Sequence, residues 1–293
     1  AKKKLRILKS QKEYFDFIIS TSSPSSAHII GLYAKKLFGS KWVADFRDLR
    51  EQSIDSPKFG PLRERALTNF EKKVLKEADI ITTVSEDLNN ILKKKISFIE
   101  SKAKSYCIYN GFFEEFFVQD KVTTHMKEWQ IVYTGTYYER QFNIEPLFKA
   151  LSQLHYEKQI PLPKLIFVGE ERVSVQNLIA ELASKYSFHN IQFIKSVPLK
   201  EAIDIQRNSS ILLLLDGLTN RGVLLTKSYE YLAARKPIIA IVNPEGELAK
   251  KFLNGYDGYV VGDNPIKIKE FIEMIYKMRI NNDDYNQKDN FFI

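Results

Sequence analysis

The chain has 293 residues, 44% hydrophobic and 27% charged, which is enough apolar material for two α/β domains or one large one and excludes a disordered polymer. Its longest apolar stretches, such as 211–215 and 238–242, are far shorter than the ~20 residues of a membrane span, and its first residues lack the pattern of a signal peptide, so we expect a cytoplasmic protein. The net charge of +8 favours anionic ligands or lipid headgroups, but the basic residues are spread along the chain and do not form the basic and aromatic face of a nucleic-acid-binding protein.

The first third of the chain alternates short β-rich runs with longer amphipathic stretches, which is the pattern of parallel βαβ units. A basic helical stretch comes first, and Ser85 is the expected N-cap of the last helix. A complete Rossmann sheet has six strands and usually a Gly-rich opening turn, so we expect the chain to begin inside its first domain, which is then incomplete. The predicted strands are 15–20, 42–46, 79–84 and 106–109, and the helices are 26–38, 62–77 and 86–95.

Residues 112–128 are aromatic and polar without a clean period, and they predict an interdomain linker. Six strands with intervening helices follow, which make a full doubly wound domain. The predicted organisation is therefore a partial N-terminal domain at 1–122, a C-terminal domain at 123–279 and a tail at 280–293. The predicted strands are 130–134, 164–168, 191–194, 211–215, 237–242 and 258–261, and the helices are 144–156, 174–186, 198–207, 224–234, 246–253 and 265–278.

Cysteine and histidine are too sparse for a disulfide or a Cys-type zinc cluster. The single cysteine, Cys107, lies in the apolar run 106–109 and is predicted to be a buried small hydrophobe. His28 is interpreted as structural, at the start of a helix. The other histidines, His125, His155 and His189, have no metal-ligand spacing, so we predict no metal site.

The segment RGVLLTKSYEYLAARKPIIA, residues 221–240, is a loop that enters a helix and then a buried strand. Lys227 and Glu230 are three residues apart and share a face near the start of that helix. Open α/β sheets bind ligands at the carboxyl ends of their strands, where helix N-termini favour phosphate. Lys227 suits a diphosphate and Glu230 can accept from two ribose hydroxyls, while an ordinary surface ion pair is the alternative.

Several motifs in the same order resemble the family 4 glycosyltransferases of the GT-B fold. KSYEYLAARKPII (227–239) resembles the family's nucleotide-sugar motif, and IVYTGTYYERQFNIEPLFKAL (131–151) resembles the opening of its donor-binding domain. FDFIISTSSPSSAHIIG, KWVADFRDLR, EKKVLKEADIITTVSEDL and YCIYNGF resemble parts of its first domain. The resemblance covers about residues 14–278 and implies an α/β protein of GT-B type, with two Rossmann-like doubly wound domains facing a cleft.

The resemblance assigns donor-binding roles to five residues. Glu230 is expected to hold the donor ribose and Lys227 to approach the diphosphate, with Gly135 allowing close backbone approach. Arg140 is the next cation and is expected to neutralise the leaving diphosphate without a metal. Val197, before Pro198, is expected to touch the nucleobase through its backbone. A plain turn glycine at 135 and a solvated Arg140 are the alternatives.

One position departs from the family pattern. Many members carry a second glutamate eight residues before the ribose-binding one, and Gly222 stands there in this chain. That glutamate tends to contact the sugar, so the identity of the donor sugar is left open. A glycine there can still present backbone N–H groups to phosphate or sugar.

On the acceptor side, Arg47 and Asp48 follow a buried strand and stand where members of that family often place a polar residue facing the reaction centre, so the resemblance makes them the candidate catalytic residues. Asp48 is expected to accept a hydrogen bond from the donor sugar, and Arg47 to bind an acceptor phosphate or support Asp48. The alternative is a structural Arg–Asp pair. Asn110 and Gly111 are interpreted as a tight structural turn.

The sequence and the resemblance together predict a glycosyltransferase that moves a sugar from a nucleoside diphosphate sugar to a glycan or lipid-linked acceptor, in bacterial surface polysaccharide synthesis. The resemblance implies that the transfer retains the anomeric configuration. No cofactor is expected beyond the donor. We expect peripheral contact with anionic lipid at the inner face of the membrane. A nucleotide-sugar-binding module without turnover and a sugar-nucleotide epimerase are the alternatives.

Overall fold

A computed structural model describes residues 1–49, 60–113, 115, 128–138, 143–216, 224–254 and 259–281, with the side chains of 259–261 excepted. The chain divides into two compact units, mainly at Asn110. Each unit is built around one parallel sheet, which confirms the predicted α/β class. The predicted linker lies largely outside the described residues, and the predicted domain boundaries stay a prediction.

The first unit has a four-stranded sheet in the order β1-β2-β3-β4. Consecutive strands pair side by side and in parallel, for example Ile19 opposite Val43 and Val43 opposite Ile80. Ser85 caps α4 as predicted, because its side chain accepts from the backbone N–H of Leu88 at 3.1 Å. The elements are α1 Lys2–Ser10, β1 Phe17–Ser22, α2 Ser26–Phe38, β2 Lys41–Phe46, α3 Pro61–Glu77, β3 Ile80–Thr83, α4 Glu86–Phe98 and β4 Lys104–Cys107.

A polar cluster lies inside the core of this unit, between α2 and the sheet. The hydroxyl of Ser20 accepts from the Trp42 indole N–H at 2.8 Å and is 2.8 Å from Nδ1 of His28. The His28 ring is buried and packs 4.8 Å from the ring of Phe46, centroid to centroid. Burial lowers its pKa to about 4, against an opposing effect of Asp45, so the ring is neutral at pH 7. These contacts support the structural interpretation of His28.

The second unit has a six-stranded parallel sheet in the order β10-β9-β8-β5-β6-β7. In chain order this is the Rossmann arrangement, with the direction of winding reversing between β5 and β8. Every residue of these two central strands is buried. The elements are β5 Gln130–Thr134, α5 Glu145–Lys158, β6 Lys164–Val168, α6 Val173–Lys185, β7 Ile191–Ile194, α7 Leu199–Arg207, β8 Ile211–Leu215, α8 Thr226–Ala234, β9 Ile238–Ile241, a π-helical turn Leu248–Leu253, β10 Tyr259–Val261 and α9 Pro265–Ile280.

Several local predictions need correction. The apolar run 106–109 predicted β4 too late, because the parallel register with β3 begins at Lys104. Cys107 is only partly buried, since β4 is the outer strand of its sheet and its residues alternate between exposed and partly buried. The segment predicted as an α-helix at 246–253 is π-helical over Leu248–Leu253. No helix among the described residues is both long and apolar enough to cross a membrane.

Candidate functional site

Three of the five predicted donor-binding residues, Gly135, Lys227 and Glu230, meet at one edge of the second sheet. Gly135 directly follows β5, Asp216 directly follows β8, and α8 begins at Thr226. Neighbouring β5 and β8 are the strands between which the winding reverses. The carboxyl ends of parallel strands at such a reversal are the usual ligand-binding position of an open α/β sheet.

Lys227 lies on the first turn of α8 and reaches back to the end of β5. Its Nζ donates to the hydroxyl of Tyr133 at 2.7 Å and lies 4.1 Å from the centroid of that ring. Although part of its side chain remains accessible, desolvation of the amine lowers the pKa of Lys227 to about 7. The carboxylates of Asp216 and Glu230 oppose that shift. The amine is therefore poised between its charged and neutral forms near pH 7.

Gly135 has a backbone φ of +100°, which side chains rarely adopt. A Cβ added to it would lie 3.5 Å from Nζ of Lys227, so the predicted phosphate-approach glycine and the predicted cation are in contact range. Gly169, after β6, has a φ of +91°, and a Cβ there would lie 3.6 Å from Cα of Gly135. Two backbone turns without side chains thus lie side by side next to the amine.

Glu230 lies one turn further along α8 and is partly buried. Its Oε2 accepts from the side-chain amide of Gln206 at 3.3 Å, and the same amide donates to the hydroxyl of Thr134 at 3.0 Å. Burial raises the pKa of Glu230, while Gln206 and Lys227 act in the opposite direction. Tyr231 completes the network, because its hydroxyl accepts from the backbone N–H of Thr134 at 2.9 Å. The hydrogen bonds of Lys227 and Tyr231, which flank Glu230 on α8, therefore join this helix to the end of β5.

A buried carboxylate orders the loop after β5. Glu170 accepts from the backbone N–H of Tyr137 at 2.8 Å and pairs with Arg172 at 2.7 Å, while Arg172 also donates to the carbonyl of Tyr137. Burial raises the pKa of Glu170 most strongly, but the hydrogen bonds from Arg172 and Tyr137 outweigh it and hold the pKa below its usual value. The ionised pair ties residues 137 and 170–172 together beside the two glycine turns.

The other sequence-predicted residues of this unit are placed less centrally. Val197 lies between β7 and α7, directly before the N-cap Pro198, and β7 is two strands away from β5. Arg140 and Gly222 lie outside the described residues. Among the described residues no group of three or more His, Cys, Asp and Glu side chains could hold a metal ion.

In the first unit, Arg47 and Asp48 follow β2, and both side chains are exposed. Arg47 donates to the side-chain carbonyl of Asn110 at 3.1 Å. This bond is to an asparagine and not to Asp48, and the alternative interpretation of a structural Arg–Asp pair stays a prediction. The structure instead joins Arg47 to the predicted turn after β4.

Sequence reasoning missed Tyr133, Gln206 and Glu170. Tyr133 belongs to the apolar run of β5 and was indistinguishable from a core aromatic residue. Gln206 lies at a polar helix end, and Glu170 lies in a charged loop whose composition is typical of a solvent-exposed segment. The Gly-Glu-Glu-Arg run at 169–172, directly after a strand, is the only signal that could have drawn attention to Glu170.

No known protein family matches the sequence, and neither does any curated protein. Solved structures do match. The sucrose-phosphate synthase of Thermosynechococcus elongatus superimposes with a TM-score of 0.66 at 17% identity, over 97% of this chain and 70% of that one. HepE of Anabaena, solved with UDP-glucose, superimposes with a TM-score of 0.61 at 13% identity, over 97% of this chain and 73% of that one.

The chain has the GT-B fold. A third match, TarM of S. aureus in complex with fondaparinux, alpha-GlcNAc-glycerol and UDP, has a TM-score of 0.62 at 10% identity. It covers 96% of this chain and 52% of TarM. In this fold, Gly135, Lys227 and Glu230 lie together at the carboxyl end of the six-stranded sheet of the second unit.

Proposed function

We propose that this chain is a glycosyltransferase that transfers a sugar from a nucleoside diphosphate sugar to an acceptor. The observation that carries the proposal is the meeting of Gly135, Lys227 and Glu230 at the carboxyl ends of β5 and β8. A cation beside a side-chain-free turn suits a diphosphate, and a carboxylate one helical turn away suits the vicinal hydroxyls of a ribose. UDP-glucose and UDP are bound by two of the matching proteins, HepE and TarM.

In this proposal the donor ribose is bound by Glu230, and the diphosphate lies between Lys227 and the backbone at Gly135. The N-terminus of α8 adds a partial positive charge at the same place. As the sugar leaves, the developing charge on the diphosphate is stabilised by Lys227 and Arg140, with no metal required. The nucleobase lies against the backbone at Val197.

The acceptor is a glycan or a lipid-linked glycan, and Arg47 and Asp48 are the proposed catalytic residues toward it. Their side chains at the end of β2 are exposed and therefore accessible to a substrate hydroxyl or phosphate. The resemblance to family 4 further favours retention of configuration and a role in surface polysaccharide synthesis. The chain's charge of +8 supports peripheral contact with anionic lipid.

The experiment is a thermal-shift panel of UDP, GDP, ADP and their sugar conjugates, with Glu230→Ala as the test variant. We expect one nucleotide to raise the melting temperature, and the shift to be lost in Glu230→Ala. Glu157→Ala on α5 is a matched control, since that carboxylate pairs with Lys269 away from the site. If no nucleotide stabilises the wild-type chain, the proposed function is wrong.

A further inference from the structure

Tyr133 links the lysine of the candidate site to the loop that follows β5. Its side chain is completely buried, and its hydroxyl donates to the carbonyl of Thr136 at 2.6 Å. The same oxygen accepts from Nζ of Lys227 at 2.7 Å. A phenol has one proton to donate, so the bond to Thr136 orients the hydroxyl and leaves its lone pairs for the amine. Burial raises the pKa of Tyr133 well above its usual value, which keeps the hydroxyl protonated.

We propose that Tyr133 is a positioning residue of the donor site, which holds the amine of Lys227 against the Gly135 turn so that a diphosphate binds there together with a proton. This inference rests on the proposed function. Lys227 has four rotatable side-chain bonds, and fixing its end before the ligand arrives removes an entropic cost of binding. The ring of Tyr133, 4.1 Å from Nζ, and its hydroxyl provide that fixation from one side chain.

The proton uptake follows from the groups that face the amine. They include the uncharged hydroxyl of Tyr133 on β5, the carboxylate of Asp216 at the end of β8 and the carboxylate of Glu230 on α8. Burial outweighs these two carboxylates, so at pH 8 most of the amine is neutral. A diphosphate adds two or more negative charges next to Nζ and favours the ammonium form. Binding at pH 8 therefore takes up as much as one proton.

The test is isothermal titration calorimetry with UDP and UMP on the wild-type chain, Tyr133→Phe, Lys227→Met and the double variant. GDP and GMP, or ADP and AMP, replace them if the thermal-shift panel selects another base. Tyr133→Phe keeps the buried ring and removes both hydrogen bonds. We expect it to weaken UDP binding about tenfold, the equivalent of one hydrogen bond to a charged group, and UMP binding much less. In the Lys227→Met background it should have no further effect.

Proton uptake is measured by repeating the UDP titration at pH 8 in two buffers of different ionisation enthalpy. The wild-type chain should take up a proton and Lys227→Met should not. Tyr186→Phe is a matched control, because it also removes one tyrosine hydroxyl, which donates to Glu145 at 2.9 Å and not to a residue of the proposed donor site. It should leave the ratio of UDP to UMP affinity unchanged.

Two outcomes would overturn the inference while leaving the proposed function intact. One is a Tyr133→Phe variant that binds UDP as tightly as the wild type. The other is an equal loss for Tyr133→Phe with and without Lys227, which would mean a structural role independent of the amine. If the wild-type chain binds none of the three nucleoside diphosphates, the proposed function itself fails.

Discussion

Replacing Gly31 by alanine adds a single methyl group and should strongly destabilise the first unit. It lies in α2, and a Cβ built on it would be 2.6 Å from the hydroxyl of Ser20 and 2.6 Å from the indole nitrogen of Trp42. Real Cβ atoms essentially never approach so closely. Gly31→Ala must therefore push α2 away from the sheet or break the bond between those two side chains.

The magnitude combines three effects. Alanine favours a helix interior over glycine by about 1 kcal/mol. Against this, overpacking a closed core costs about 1–3 kcal/mol, and each buried hydrogen-bonding group that loses its partner costs about 1–3 kcal/mol. Two such groups, the Trp42 indole N–H and Nδ1 of His28, depend on the hydroxyl of Ser20. If both groups lose their partner, we expect a net loss of about 2–8 kcal/mol in the free energy of unfolding.

Urea unfolding followed by tryptophan fluorescence measures this loss. The chain has two tryptophans, one in each unit, so a Trp129→Phe background leaves Trp42 as the reporter of the first unit. Gly60→Ala is the control, because a Cβ there meets no atom within 4 Å. An unfolding free energy of Gly31→Ala within 0.5 kcal/mol of its background, a range typical of surface changes, would refute the close packing of α2 on the sheet.

Three further predictions concern stability and association. Gly135→Ala should lower the unfolding free energy by about 1–2 kcal/mol, because its φ of +100° strains any side chain while the added Cβ meets Nζ of Lys227 only at an ordinary 3.5 Å. An unchanged melting temperature would contradict it. The pKa of His28, lowered to about 4, means that protonation favours the unfolded chain, so stability should fall between pH 6.5 and pH 4, by about 3 kcal/mol at the lower end. In His28→Gln the free energy of unfolding should depend less on pH in this range. An unchanged pH dependence would mean that other groups cause it. Finally, the outer strand β1 exposes Phe17 and Ile19, so Ile19→Lys should reduce self-association in sedimentation velocity at high concentration. Equal sedimentation of both proteins would show that this edge does not associate.

Most elements of the fold were predictable because their signal is local. Strands β5, β6, β7 and β8 have the predicted bounds, since each is a short apolar run between polar breaks. The predicted bounds of β4 were wrong because they depend on pairing with another strand. β4 begins at Lys104, where it pairs with β3, although the more apolar residues lie further along the chain.

The candidate site divides in the same way. Lys227 and Glu230 were predictable as neighbours, because three residues on a helix bring side chains to one face. Their meeting with Gly135 was predictable only through the order of the strands and the resemblance. The partner of Glu230 was not predictable, since Gln206 is 24 residues away on another helix.

By itself the sequence determined the succession of strands and helices, the parallel α/β class and the helix face on which the cation and the carboxylate lie. Periodicity and capping act within a few residues, so they are readable without a structure. Only the tertiary structure decided that Tyr133, 94 residues from Lys227, holds its amine. A buried tyrosine in an apolar strand looks like any other core residue in the sequence. The direction of its hydroxyl is set by the packing of α8 against the end of β5.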